Sequence, residues 1–200
     1  MPPDASSALS APSAPSFSSS PDGPAPLATY RIQLTPTFGF DAATDLLDHL
    51  VEVGVSHVYL SPVLQAVPGS RHGYDVIDPH LVDLERGGEH AFRRLVTTAH
   101  ERGLGVLLDI VPNHLAADPR SPAWADVLRL GRSSGMARWF DLAWGHGTTE
   151  VPDRLLLPVL GDELDVAVGN GDVRLGRTGH DLVLRVYEQS LPLCDESVAE

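Results

Sequence analysis

The run Leu104-Gly105-Val106-Leu107-Leu108-Asp109-Ile110-Val111 is apolar at nearly every position and is broken by one acid, Asp109. A strand with water on one face alternates apolar and polar side chains. A continuous apolar run of this length predicts instead a parallel strand covered on both faces. Two earlier segments supply partners. Thr29 to Leu34 alternates apolar and polar residues until Pro36 stops it, and Val55 to Leu60 runs into Ser61-Pro62. Between them Asp41 is placed to cap a helix over residues 42–53. There Ala43, Leu46, Leu47, Leu50 and Val51 recur at three- and four-residue spacing, and Gly54 offers a stop. After a long loop, residues 63–88, a second helix carries Phe92, Leu95, Val96 and Ala99 and ends at Gly103. Two successive βα units follow from this order, and right-handed crossovers place both helices on one side of a parallel sheet. Such a pattern fits a barrel or a doubly wound sheet.

The texture changes after Pro112. Ser121-Pro122 opens a short helix with Trp124, Val127 and Leu128, closed by Gly131, and Trp139, Phe140 and Trp144 then crowd an irregular stretch. Residues 155–157, 172–175 and 182–186 read as short strands separated by Gly-rich turns such as Gly169-Asn170-Gly171. Three regions result: a Ser/Pro/Ala-rich tail over residues 1–27, expected to be disordered; an α/β unit over 28–117; and an inserted, partly β subdomain over 118–200.

With 42% hydrophobic and 20% charged residues in 200, the chain reads as soluble and globular. Its net charge of -13 is spread as single acids, which argues against a nucleic-acid backbone as partner and suits a neutral one. The lone Cys194 excludes an intramolecular disulfide and fits a reducing compartment. Residues 1–27 hold no Lys or Arg and no apolar run of signal length, and nothing approaches the ~20 apolar residues of a membrane span. A cytoplasmic location is the expectation.

Parallel-strand enzymes place their sites in the loops at the strands' C-terminal ends, so Asp109, Asn113 and His114 should converge there with His72, Gly73, Tyr74 and Asp75. A carboxylate in an apolar strand needs a cation or several donors. Asp109 therefore either pins a loop or belongs to a site. His114 either caps a turn or serves a site; Tyr74 is either core or a platform for a sugar face. Gly69-Ser70 and Gly87-Gly88 lack the strand, helix and Lys of a phosphate loop. The nine His residues form no zinc motif, and no Gly-x-Ser-x-Gly elbow occurs. Asn113 and Asp118 are oxygen donors for a calcium, but acids are sparse around them. No metal or cofactor is expected.

Asp109-Ile110-Val111-Pro112-Asn113-His114 resembles the first signature of the α-amylase superfamily, glycoside hydrolase family 13, which ends barrel strand three just before an inserted domain. Thr29 to Leu34, Tyr59-Leu60-Ser61-Pro62, Gly69 to Val76 and Leu155 to Gly161 together resemble its maltooligosyltrehalose synthase branch, over about residues 28–193. This resemblance implies an α/β fold: an incomplete (β/α)8 TIM barrel, its first three strands, with the start of an inserted mixed or β subdomain. The implied partner is a maltooligosaccharide, an α-1,4-glucan. The implied reaction is an intramolecular transfer, classed as an isomerase, that turns the reducing-end α-1,4 bond into an α,α-1,1 trehalosyl end in trehalose biosynthesis.

By the same resemblance Tyr74 stacks on the sugar in the cleavage subsite and His114 hydrogen-bonds a hydroxyl. Asp75 and Asp109 act as acceptors, each paired with an Arg or a hydroxyl. Asn113 supports the loop, or a calcium in amylases that have one, and His72 is a further substrate-binding candidate. Such enzymes use two carboxylates, a nucleophile and an acid/base. In the family these lie on strands four and five, past Glu200, so no catalytic residue is assigned here and the chain reads as an inactive fragment or truncated product. The alternatives are a fragment of an α-amylase-type glucan hydrolase, which the Tyr59 to Val76 and Leu155 to Gly161 motifs disfavour, and a non-catalytic remnant.

Overall fold

The computed structural model describes residues 25–145, 154–194 and 197; the tail expected over residues 1–27 lies outside them as far as residue 24. In chain order the elements are β1 (Thr29–Ile32), α1 (Phe40–Asp45), α2 (Leu47–Val53), β2 (His57–Leu60), β3 (Leu64–Ala66), β4 (Val76–Val82), α3 (Gly88–Glu101) and β5 (Gly105–Leu108). Then follow α4 (Pro122–Leu130), α5 (Leu164–Gly169), β6 (Val173–Thr178), β7 (Asp181–Val186) and β8 (Gln189–Pro192). β1, β2 and β5 form a parallel sheet in that order, with Ile32, Leu60 and Leu108 in register. Ile32, Leu34, Val58 and Leu60 pack against Phe40, Ala43, Leu47 and Leu50 on α1 and α2, and Ala91, Leu95 and Ala99 on α3. Each large side chain buried there contributes roughly 1.5–3 kcal/mol. α1 and α3 pack on the same side of the sheet, where the rings of Phe40 and Phe92 meet at 5.4 Å.

Several local expectations change. The helix read over residues 42–53 is two helices that part at Leu46, whose N–H bonds back to the Ala43 carbonyl at 3.3 Å in a tightened turn. Gly39, not Asp41, is the N-cap, and Asp41 instead sits in the first turn and pairs with Arg94. Gly54 does end α2, in the left-handed conformation at φ 85°. The run from Leu104 is strand only to Leu108. It is not covered on both faces: Gly105 to Leu107 are half-buried and Leu108 is exposed, and among the described residues β5 pairs with β2 alone. The segment read as a 63–88 loop contains the antiparallel β3–β4 hairpin, with an irregular register.

Beyond β5, Ser121 caps α4 by accepting from Trp124 N–H, with Pro122 at the first helical position. The strands read at 172–175 and 182–186 are present as β6 and β7, joined antiparallel by β8. Residues 155–157 are not a strand, and Leu156 points outward, because no strand lies beside them among the described residues. No helix among the described residues is long and apolar enough to cross a membrane.

The end of β4 is tied to the core by a buried ion pair. Asp83 accepts from the Arg86 guanidinium, from Arg86 N–H and from Ala66 N–H, both at 3.1 Å. The Arg86 carbonyl in turn accepts from Phe40 N–H at 2.8 Å and so starts α1. Gly39 passes so close that a Cβ would sit inside the Arg86 carbonyl oxygen.

Gly39→Ala should therefore cost about 1–3 kcal/mol by overpacking, although Gly39 has an ordinary φ of -89°. Gly54→Ala meets no atom and should cost about 1 kcal/mol through backbone strain alone. Urea unfolding of the two variants checks this, and a neutral Gly39→Ala would contradict it.

Candidate functional site

Alternation along the first strand buries Ile32 and Leu34 and turns Arg31 and Gln33 to the other side. Arg31 reaches the C-terminal ends of the sheet, where Tyr59 from β2 and Asp109 after β5 also stand. Asp109 N–H bonds to the Leu60 carbonyl at 2.9 Å, which carries the ladder one residue past the strand and fixes the carboxylate. Arg31 Nη2 lies 3.1 Å from Asp109 Oδ2 and 3.0 Å from the Tyr74 hydroxyl. The Tyr74 hydroxyl donates to the same Asp109 oxygen at 2.5 Å. Arg31 also sits 5.4 Å over the Tyr59 ring and bonds Gln33 at 2.8 Å.

The loop before β4 supplies Tyr74. Ser70 donates its hydroxyl to Asp75 and accepts from Gly73 N–H at 3.0 Å, which closes the turn. His72 Nδ1 accepts from Tyr74 N–H at 3.1 Å and lies 3.6 Å from Asp75, and its ring stacks with Tyr74 at 6.0 Å. On the other side, His114 Nε2 is 3.2 Å from the Tyr74 carbonyl. Its Nδ1 lies 2.9 Å from the Asn113 amide oxygen Oδ1. Ala116 N–H bonds to the Val76 carbonyl at 2.8 Å and fastens the segment after His114 to the start of β4.

The structure thus brings Tyr74, Asp75, His72, Asp109, Asn113 and His114 together. Tyr74 is not core: it is 38% exposed, its hydroxyl anchored on Asp109. Asp109 is paired with Arg31 and the Tyr74 phenol, and Asp75 with the Ser70 hydroxyl. Arg31, Gln33, Tyr59 and Ser70 lie within stretches that carry the family resemblance, but the sequence did not single them out as site residues. For Arg31 and Gln33 a signal existed, since two polar residues alternate with buried ones at the end of the first strand.

Electrostatics follow from these contacts. The Tyr74 hydroxyl, and after it Arg31, hold the Asp109 carboxyl below the usual range despite its desolvation. The bond to Asp109 pushes the Tyr74 phenol above its ordinary value. Arg31 is raised, first by its bond to Asp109. At neutral pH one cation, one anion and one neutral phenol form a group without net charge, a wall suited to a neutral hydroxyl-bearing ligand. Asp118, one of the oxygens weighed for calcium, is held at both oxygens by Arg120, which lowers it. Among the described residues no three His, Cys, Asp or Glu are grouped to hold a metal ion.

The family described as "Alpha amylase, catalytic domain" matches residues 39–153. The chain belongs to this family. A putative maltooligosyl trehalose synthase of Mycobacterium tuberculosis (strain ATCC 25618 / H37Rv) is 46% identical over 167 residues, 80% of this chain and 21% of the relative. Among solved structures, DSM5389 glycosyltrehalose synthase matches with a TM-score of 0.77 at 39% identity, over 86% of this chain and 22% of that one. Maltooligosyltrehalose synthase from Arthrobacter ramosus matches with a TM-score of 0.72 at 39% identity, over 85% and 21%. The chain spans about a fifth of the length of these relatives.

The depressed Asp109 contributes stability above the ordinary carboxylate pKa, about 4, that is lost as pH falls through its folded value. The raised Tyr74 contributes stability below the ordinary phenol pKa, about 10, that is lost as pH rises through its folded value. Spectrophotometric titration of the chain against Tyr74→Phe should isolate one phenol ionising above the ordinary value. Asp109→Asn should return that phenol to it, and a midpoint indifferent to Asp109→Asn would contradict the pairing.

Proposed function

We propose that the chain forms one wall of the sugar site of a maltooligosyl trehalose synthase. The observation that carries the reading is the meeting of the Gly69–Asp75 loop with the Asp109–His114 hexapeptide through Tyr74. It occurs in a chain 46% identical to a relative of that name. In this reading β1, β2 and β5 are the first three strands of a (β/α)8 barrel whose further strands extend the sheet from its edges, and residues 118–200 belong to an inserted subdomain. The ring of Tyr74 offers its exposed face to a pyranose, while His114, Asp75 and His72 surround it with polar groups for the sugar's hydroxyls. Asp109, neutralised by Arg31 and tied to the phenol, sets the height and tilt of that ring.

The substrate is a maltooligosaccharide and the product carries an α,α-1,1 trehalosyl end. The glycosidic C1–O4 bond breaks, a glycosyl-enzyme holds the chain, and the anomeric hydroxyl of the released glucose takes the same carbon with retention. Atoms balance without water. A hydrolase shares the first half and differs only in its acceptor, so the walls of the site must hold glucose in place while it turns. The two carboxylates of that chemistry have no assigned counterpart among these 200 residues, and the isolated chain is accordingly read as inactive.

Purified chain incubated with maltopentaose should leave every reducing end intact, and an enzyme-dependent loss of reducing ends would overturn the inactive reading. The same chain should still bind maltopentaose by saturation-transfer NMR, and Tyr74→Ala should weaken that binding by about tenfold, the scale of a lost aromatic contact. Binding indifferent to Tyr74→Ala would refute its place in a sugar site.

A further inference from the structure

Between the core and the loop that carries Tyr74 lies the Asp83–Arg86 pair. Arg86 is 2% exposed and Asp83 equally so, deeper than any other charged pair among the described residues. Nη1 of Arg86 is spent on Asp83, while Nη2 turns the other way and donates to the Ser70 carbonyl at 3.2 Å. Ser70 is itself buried, and its hydroxyl closes the turn by joining Gly73 N–H to the Asp75 carboxylate. The turn lies directly on the cation. Gly73 has φ 82°, and a Cβ there would come 3.0 Å from the Pro62 carbonyl oxygen and 3.2 Å from Arg86 Nη2. Tyr74 is the next residue.

A buried ion pair is weak as a source of stability, since apolar side chains of similar volume often serve as well or better. Nε of Arg86 finds no acceptor, which adds to the cost of burial. An apolar replacement could fill the space. It could not grip Asp83 with one arm and the Ser70 carbonyl with the other, a task suited to the planar fork of a guanidinium.

We propose that Arg86 is a positioning residue for Tyr74, fixing the Ser70–Asp75 turn so that the phenol hydroxyl lands on Asp109 and one ring face stays open to ligand. That this face receives a sugar rests on the function proposed above; the placement of the phenol does not. Arg86 touches no ligand and acts through Ser70.

The test compares Arg86→Met and Arg86→Lys with the unaltered full chain. The readouts are thermal unfolding, titration of Tyr74 against a Tyr74→Phe background, hydrogen exchange at the Gly73 amide, and maltopentaose binding. Both variants should bring the Tyr74 midpoint down toward an ordinary phenol, speed exchange at Gly73 by about tenfold and weaken maltopentaose by about three- to tenfold. A merely structural Arg86 would lower the unfolding temperature and leave the Tyr74 titration where it was, and that result overturns the inference. Should Arg86→Met fail to fold, Arg86→Lys decides, because it keeps a charge for Asp83 but lacks the fork that also reaches Ser70. An unaltered chain that does not bind maltopentaose, together with shifted Tyr74 titrations in the variants, would remove the glucan reading and leave the positioning role standing.

Discussion

Three parts of the chain that share no sheet are fastened at Asp83 and Arg86. The carboxylate holds the end of β3 through Ala66, the Arg86 carbonyl holds the first residue of α1, and the guanidinium holds the Ser70 turn. Breaking such a pair by removing one partner costs about 3–5 kcal/mol, because the remaining charge stays buried and unmet. The turn that carries Tyr74 on the ligand side of the sheet rests on this junction. The strand ends supply Arg31 and Asp109, but Tyr74 and Asp75 come from a turn that has no regular structure of its own.

The upper layer of the site is held by charge arrangement instead of burial. Arg31 satisfies Asp109, Asp109 satisfies the Tyr74 hydroxyl, and Tyr59 lies beneath the guanidinium. All three polar groups are partly solvated, so each contact alone is modest. Together they fix an aromatic ring at the mouth of a sheet. A lone exposed tyrosine on a mobile turn would present its face in many directions; one whose hydroxyl is bonded twice presents it in one.

Much of the fold was legible. The apolar run at Leu104, the alternation at Thr29, and the glycines at 54 and 103 follow directly from backbone and hydrophobic periodicity, and the structure has strands and stops there. The helix break at Leu46 left no mark, since the apolar stripe runs through it without a glycine or proline. The β3–β4 hairpin was hidden because Asp78, Pro79 and His80 interrupt β4 and its register slips, a pattern tolerated only in a two-stranded edge ribbon. The triple leucine at 155–157 misled for the opposite reason: apolar content makes no sheet without a neighbouring strand, and none lies beside it among the described residues. At the site, the hexapeptide and the Tyr74 loop stood out by composition. Arg31 and Arg86 did not, because a sequence shows that an arginine is present but not which carboxylate it will meet 78 or 3 residues away.

The span between Arg31 and Asp109 also orders events in time. They lie 78 residues apart, and at about 5–20 residues per second of synthesis Asp109 appears roughly 4–16 seconds after Arg31. Within that interval α1, α2 and β2 are made and become available to β1, before the carboxylate that Arg31 meets. Only when β5 pairs with β2 does the counter-ion arrive, and only then does the tyrosine hydroxyl have its acceptor. The Tyr74 hydroxyl therefore gains its acceptor only once the residue after the third parallel strand has been made, with α4, α5 and β6 to β8 still to follow.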